Sequence, residues 1–91
     1  MFRIRIDHHP RSITLHVEGK ISGECVDELR RVWLSIRNDF PAKRTAVDLS
    51  SVLAVDPAGR KLLCQLHAWG TQLSGEGLMI GPLIEEITNE S

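Results

Sequence analysis

The chain has 91 residues, which suits one small domain over residues 1–91 and leaves no room for a second catalytic unit. Eleven Lys and Arg against twelve Asp and Glu give a net charge of −1, so no electrostatic footprint for a phosphate backbone exists and nucleic-acid binding is not expected. A hydrophobic fraction of 42% beside 25% charged residues excludes a disordered chain and fits a soluble globular protein.

Phe2, Ile4 and Ile6 alternate with Arg3, Arg5 and Asp7, and Ile13, Leu15 and Val17 alternate with Thr14, His16 and Glu18. Two half-buried strands follow, and the short connection Asp7-His8-His9-Pro10-Arg11 makes them an antiparallel hairpin. Gly19 ends this pattern. From Gly23 to Arg37, Val26, Leu29, Val32, Trp33 and Ile36 recur at steps of three and four, the stripe of an amphipathic helix with Ser22 as its expected N-cap. Residues Thr45–Leu49 read as a short central strand, and Ser50 and Ser51 as the loop after it.

Asp56-Pro57 starts a second helix, because aspartate caps orphan amides and proline suits the first helical position. Its stripe of Leu62, Leu63, Leu66 and Leu73, with Trp69 between, runs to about Ser74, where Gly75-Glu76-Gly77 stops it. Leu78-Met79-Ile80 then reads as a fourth strand and Pro82 as the opening of a last short helix. The order β-β-α-β-α-β-α predicts an α/β fold: a mixed four-stranded sheet with an N-terminal antiparallel hairpin followed by parallel strands. The polar alternates Arg3, Arg5, Thr14, His16 and Glu18 predict a sheet face left open to water or to a partner, and that face makes a homodimer plausible.

Motifs of chemistry are few. No GxSxG elbow or glycine-rich phosphate loop occurs, so neither catalysis nor a cofactor is expected. Cys25 and Cys64 lack CxxC spacing and read as reduced, buried thiols. His8 and His9, adjacent in a turn, could with His16 on the next strand assemble only a weak metal site, so no metal is expected, and His67 reads as a surface or hydrogen-bonded residue. No apolar run approaches the ~18 residues of a membrane helix and the first residues alternate, so a cytoplasmic location without direct membrane insertion is expected.

Three segments share one pattern: Val17-Glu18-Gly19-Lys20-Ile21-Ser22, Val47-Asp48-Leu49-Ser50, and Val52-Leu53-Ala54-Val55-Asp56-Pro57-Ala58-Gly59. Together they resemble the STAS domain of bacterial anti-sigma-factor antagonists and sulfate transporters. That family has a strand ending Asp-Leu-Ser and an Asp-Ser-Ser-Gly-Leu segment at its second helix. The resemblance implies a cytoplasmic, non-enzymatic interaction module that regulates transcription by binding a kinase-type anti-sigma factor, with Asp56, Pro57, Ala58, Gly59 and Arg60 as the partner-binding surface. Both serine positions of the family segment are replaced here, by Pro57 and Ala58, so the usual phosphate switch has no hydroxyl to act on. Ser50 and Ser51 are the nearest alternative acceptors. Ser22 stands for the family's aspartate and Arg60 for its leucine. Two other roles fit the chain: a small cytosolic STAS subunit of a membrane lipid transporter, and a ligand- or nucleotide-binding protein using the N-terminus of the second helix.

Overall fold

The computed structural model describes residues 2–89. Its elements are β1 (Phe2–His8), β2 (Ser12–Ile21), α1 (Glu24–Asp39), β3 (Arg44–Val55), α2 (Pro57–Ala68), β4 (Gln72–Ser74) and α3 (Ile80–Asn89). The four strands form one sheet in the order β1-β2-β3-β4. β1 and β2 pair antiparallel with Arg5 opposite His16, whereas β2–β3 and β3–β4 are parallel. The expected mixed sheet and element order are therefore what the chain adopts.

Alternation decides which face is covered. Ile13, Leu15 and Val17 of β2 and Val47 and Leu49 of β3 are buried, as are Val26, Leu29, Trp33 and Ile36 of α1 and Leu62, Leu63 and Leu66 of α2. Burying such side chains contributes about 1.5–3 kcal/mol each and drives the helices onto that face. The residues between them, Thr14, His16 and Glu18 of β2 with Arg3 and Arg5 of β1, stay half-buried or exposed on the other face.

Several boundaries differ from the sequence reading. β2 continues through Gly19 to Ile21. β3 is 12 residues long and carries Ser50 and Ser51 inside it, because two one-residue register shifts against β2 let the strand run on to Val55. α1 starts at Glu24 with Gly23 as N-cap and without a side-chain cap, so Ser22 does not play that part; its carbonyl accepts from Cys25 N at 3.0 Å.

α2 stops at Ala68, short of Ser74. Gly70 takes φ 94°, Thr71 N donates to Leu66 O at 2.9 Å and Gly70 N to His67 O at 3.0 Å, the paired bonds that close a helix on a left-handed glycine. Leu73, read as the end of the helical stripe, instead lies opposite Val47 in β4. The expected strand Leu78-Met79-Ile80 does not form: Leu78 is fully exposed, and Ile80 is buried as the first residue of α3. Cys25 and Cys64 form no disulfide, and both are half-buried where the sequence reading had them buried.

Candidate functional site

The start of α2 is organised by one carboxylate. Asp56 takes the extended backbone that a following proline imposes (φ −82°, ψ 172°) and caps the helix, its Oδ1 accepting from Gly59 N at 2.7 Å. Its Oδ2 accepts from Gly23 N at 3.1 Å, and its own N–H donates to Ile21 O at 3.0 Å. Asp56 thus ties the turn between β2 and α1 to the first turn of α2, two segments 33 residues apart in sequence.

Around this clamp the five expected interface residues have different fates. Pro57 and Ala58 are exposed on the first helical turn. Gly59 is buried: a Cβ there would lie 2.7 Å from Ile21 O and 2.8 Å from Ile21 Cγ2, so its lack of a side chain serves helix-to-strand packing. Arg60 is half-buried and its Nη2 lies 3.3 Å from Glu86 Oε1 on α3. A groove of about 390 Å³ runs beside them, lined by Val55, Pro57, Arg60, Met79, Leu83 and Glu86 among others. Met79, in its wall, is 41% exposed and the neighbouring Leu78 is 100% exposed. Both were assigned by sequence to a strand, so the part of Met79 in this surface was not legible; its partial exposure in the groove wall is what marks it.

Ser50 and Ser51 lie away from this turn, within β3. Ser50 donates both its N–H (3.0 Å) and its hydroxyl (2.7 Å) to Asp48 Oδ1. The Ser50 hydroxyl is the largest influence on Asp48, holding its carboxyl below the ordinary value of 3.8 against a smaller opposing effect of burial. Ser51 lines a groove of about 210 Å³ on the open sheet face with Arg5, His16, Glu18 and Asp48.

The open face also carries a line that sequence did not show. His16 Nε2 lies 2.8 Å from Asp7 Oδ2 and His16 Nδ1 lies 2.8 Å from Asp48 Oδ2. Carboxylates only accept, so a ring carrying both protons satisfies both contacts. The alternation placed His16 on this face, but its pairing with Asp7 and Asp48 depends on register with two neighbouring strands. Among the described residues, no group of three His, Cys, Asp or Glu side chains is arranged to hold a metal ion. No helix among them is long and apolar enough to cross a membrane.

No protein-family model and no curated protein matches the sequence. Solved structures do. The anti-sigma factor antagonist SpoIIAA in its unphosphorylated form superposes with a TM-score of 0.69 at 12% identity, over 91% of this chain and 82% of that one. An uncharacterised protein of the DUF3478 family from Shewanella loihica PV-4, with a SpoIIAA-like fold, gives 0.56 at 12% identity over 86% and 69%. The protein Mglu gives 0.63 at 19% identity; 82% of this chain matches, but it spans only 19% of Mglu. The chain therefore has a STAS-like fold of the SpoIIAA type, at identities where likeness speaks for the fold alone.

Proposed function

We propose that this protein is a non-enzymatic interaction module of the anti-sigma-factor-antagonist kind, binding a protein partner through the surface at the start of α2. The partner class that fits the resemblance is a kinase-type anti-sigma factor. Pro57, Ala58 and Arg60 meet the partner, Asp56 holds the turn in shape, and Gly59 lets that turn lie close on β2. The observation that carries this reading is the pair Pro57 and Ala58, exposed on the first turn of α2 beside an apolar groove in whose wall Met79 is 41% exposed. An exposed apolar patch rimmed by polar residues is a usual mark of a protein-binding surface.

With no hydroxyl at Pro57 or Ala58, phosphate is not installed on this turn, and binding is governed by protein concentration or by competition with a phosphorylatable paralogue. A nucleotide at the same helix N-terminus is disfavoured: the amide of Gly59 is already taken by the Asp56 carboxylate, which would repel a phosphate.

The test is binding to a kinase-type anti-sigma factor from the same cell, with and without ATP. Wild type binds equally in both conditions; Ala58→Glu, which adds an acid that a helix N-terminus tolerates, loses binding while staying folded. Ala58→Ser becomes phosphorylated by the kinase. Phosphate entering the wild-type protein at Ser50 or Ser51, or equal binding by wild type and Ala58→Glu, would overturn the reading.

A further inference from the structure

We propose that the opposite end of the molecule, where α1 and α2 finish and β3 begins, is a binding site for a small aromatic anion bearing a phosphate or a carboxylate. Two adjoining grooves are built there. The first, about 230 Å³, is lined by Trp33, Leu34, Arg37 and Trp69. The second, about 160 Å³, shares Arg37 and Trp69 with it and adds Lys43, Arg44 and Thr45.

The apolar half is held rigid from below. Trp33 is buried, and its Nε1 donates to Thr71 Oγ1 at 2.7 Å, which in turn lies 2.8 Å from Thr45 Oγ1. Trp69 stacks on that fixed ring, centroids 5.1 Å apart and planes at 23°, yet remains 49% exposed beside Leu34 at 47%. A flat, half-exposed indole on a fixed support is a ready platform for another ring.

The cationic half is organised by neutral groups. The Arg37 guanidinium carbon lies 5.2 Å from the centre of the Trp33 ring, and its Nη1 donates to Trp69 O at 3.2 Å. Lys43 Nζ lies 5.2 Å from the centre of the Phe40 ring and donates to His9 O at 3.0 Å. Rings and backbone carbonyls position these cations without cancelling their charge. Elsewhere Arg3, Arg5, Arg30, Arg31 and Arg60 each face an Asp or Glu at 2.9–3.9 Å, whereas Arg37, Lys43 and Arg44 face none among the described residues.

The Arg11 carbonyl accepts from Arg44 N at 3.1 Å, which ties the start of β3 to the turn between β1 and β2. Asp39, at the end of α1, is the acid nearest in sequence to Arg37 and makes no ion pair among the described residues. A purely structural account exists for Arg37, which sits in the last turn of α1 and caps a carbonyl at the end of α2. It does not extend to Lys43 and Arg44, outside both helices, nor to the exposed Trp69.

A ring against Trp69 and Leu34 would carry its anionic group into the groove of Arg37, Lys43 and Arg44. Because both the indole and two of the cations are already held in place, little further ordering opposes binding. The site lies at the far end of the 12-residue α2 from Pro57 and Ala58, so it stands or falls independently of the partner surface.

The experiment titrates the protein with phenyl phosphate, benzoate, inorganic phosphate and phenol, followed by tryptophan fluorescence and amide chemical shifts. Phenyl phosphate or benzoate is expected to saturate with shifts at the Trp69 indole, Gly70 and Arg44, and to bind at least tenfold more tightly than phosphate or phenol. Arg44→Ala, at an exposed position, weakens that binding about tenfold, as does Lys43→Ala. The proposal is overturned if neither aromatic anion binds at millimolar concentration, if the shifts fall elsewhere, or if Arg44→Ala binds like wild type. It is also overturned if the aromatic anions fail to bind but the protein sediments with phosphatidylserine vesicles in an Arg44-dependent way, which would assign this end to a membrane surface.

Discussion

Gly59→Ala and Gly81→Ala are the same chemical change, and the structure gives them opposite signs. At Gly81, the second residue of α3, a Cβ meets nothing within 4 Å. Alanine there gains the ordinary benefit of restricting the unfolded chain, about 0.4–1 kcal/mol. At Gly59 the same benefit is opposed by contacts at 2.7 Å with Ile21 O, 2.8 Å with Ile21 Cγ2 and 3.1 Å with Val55 Cγ1. The oxygen cannot simply retreat, because it accepts the Asp56 N–H at 3.0 Å and the same turn is held by Gly23 N on Asp56 at 3.1 Å. Moving α2 outward by about half an ångström relieves the clash but stretches both bonds toward the limit of hydrogen bonding. Overpacking costs about 1–3 kcal/mol, and a weakened bond adds about 1 kcal/mol. The net loss is about 1–3 kcal/mol, a fall in Tm of roughly 5–20 °C for a domain of this size. Thermal and urea unfolding followed by circular dichroism measure both variants. A Gly59→Ala protein as stable as wild type, or two shifts of the same sign, would refute the packing argument.

Asp56→Ala removes the cap on α2 and the link to Gly23, and is expected to lose about 1–2 kcal/mol in urea unfolding, with Asp56→Asn losing less because its oxygen still serves one amide. Thr71→Val leaves the buried Trp33 N–H without its acceptor and is expected to cost about 1–3 kcal/mol, with a change in tryptophan emission; an unchanged stability would mean that the indole finds another partner. Asp48 is held below the ordinary value of 3.8, first by the Ser50 hydroxyl. Its folded-state value lies under its unfolded one, so its stabilisation is fully present above the unfolded value and disappears as pH falls through the folded one. Ser50→Ala is therefore expected to be less stable than wild type at neutral pH, with the gap narrowing below about pH 4; a gap constant down to pH 2 would place the effect outside this carboxylate.

What sequence revealed and concealed follows from how each element is held. The hairpin was legible because β1 and β2 alternate strictly, and α1 because its stripe repeats over four turns. β3 was read at less than half its length because bulges put Ser50 with Ser51 and Leu53 with Ala54 on consecutive exposed positions, which destroys the period of two. β4 had no periodic signal at all: its three residues form a strand only because Ala46–Asp48 lie alongside to pair with them. The end of α2 was hidden by Leu73, which continues the helical spacing from Leu66 although the chain has already turned at Gly70. Asp56-Pro57 announced a helix start correctly, since capping is a local event, whereas the second ligand of that carboxylate, Gly23 N, arrives through tertiary folding.

This double use of Asp56 determines how the proposed interface has to be probed. A carboxylate that accepts two amides from different segments holds the surface in shape, so replacing it alters the geometry of everything beside it, and lost binding in Asp56→Arg would not distinguish a contact from a collapsed turn. Pro57 and Ala58 present the opposite case. Both are exposed, and Ala58 has no partner to lose, so a charge placed there reads the surface itself. An acid on the first turn of a helix is stabilised by the helix's own field. Ala58→Glu accordingly keeps α2 and adds negative charge where the resemblance places the phosphate, separating the effect of charge on the partner from the effect of structure on the turn.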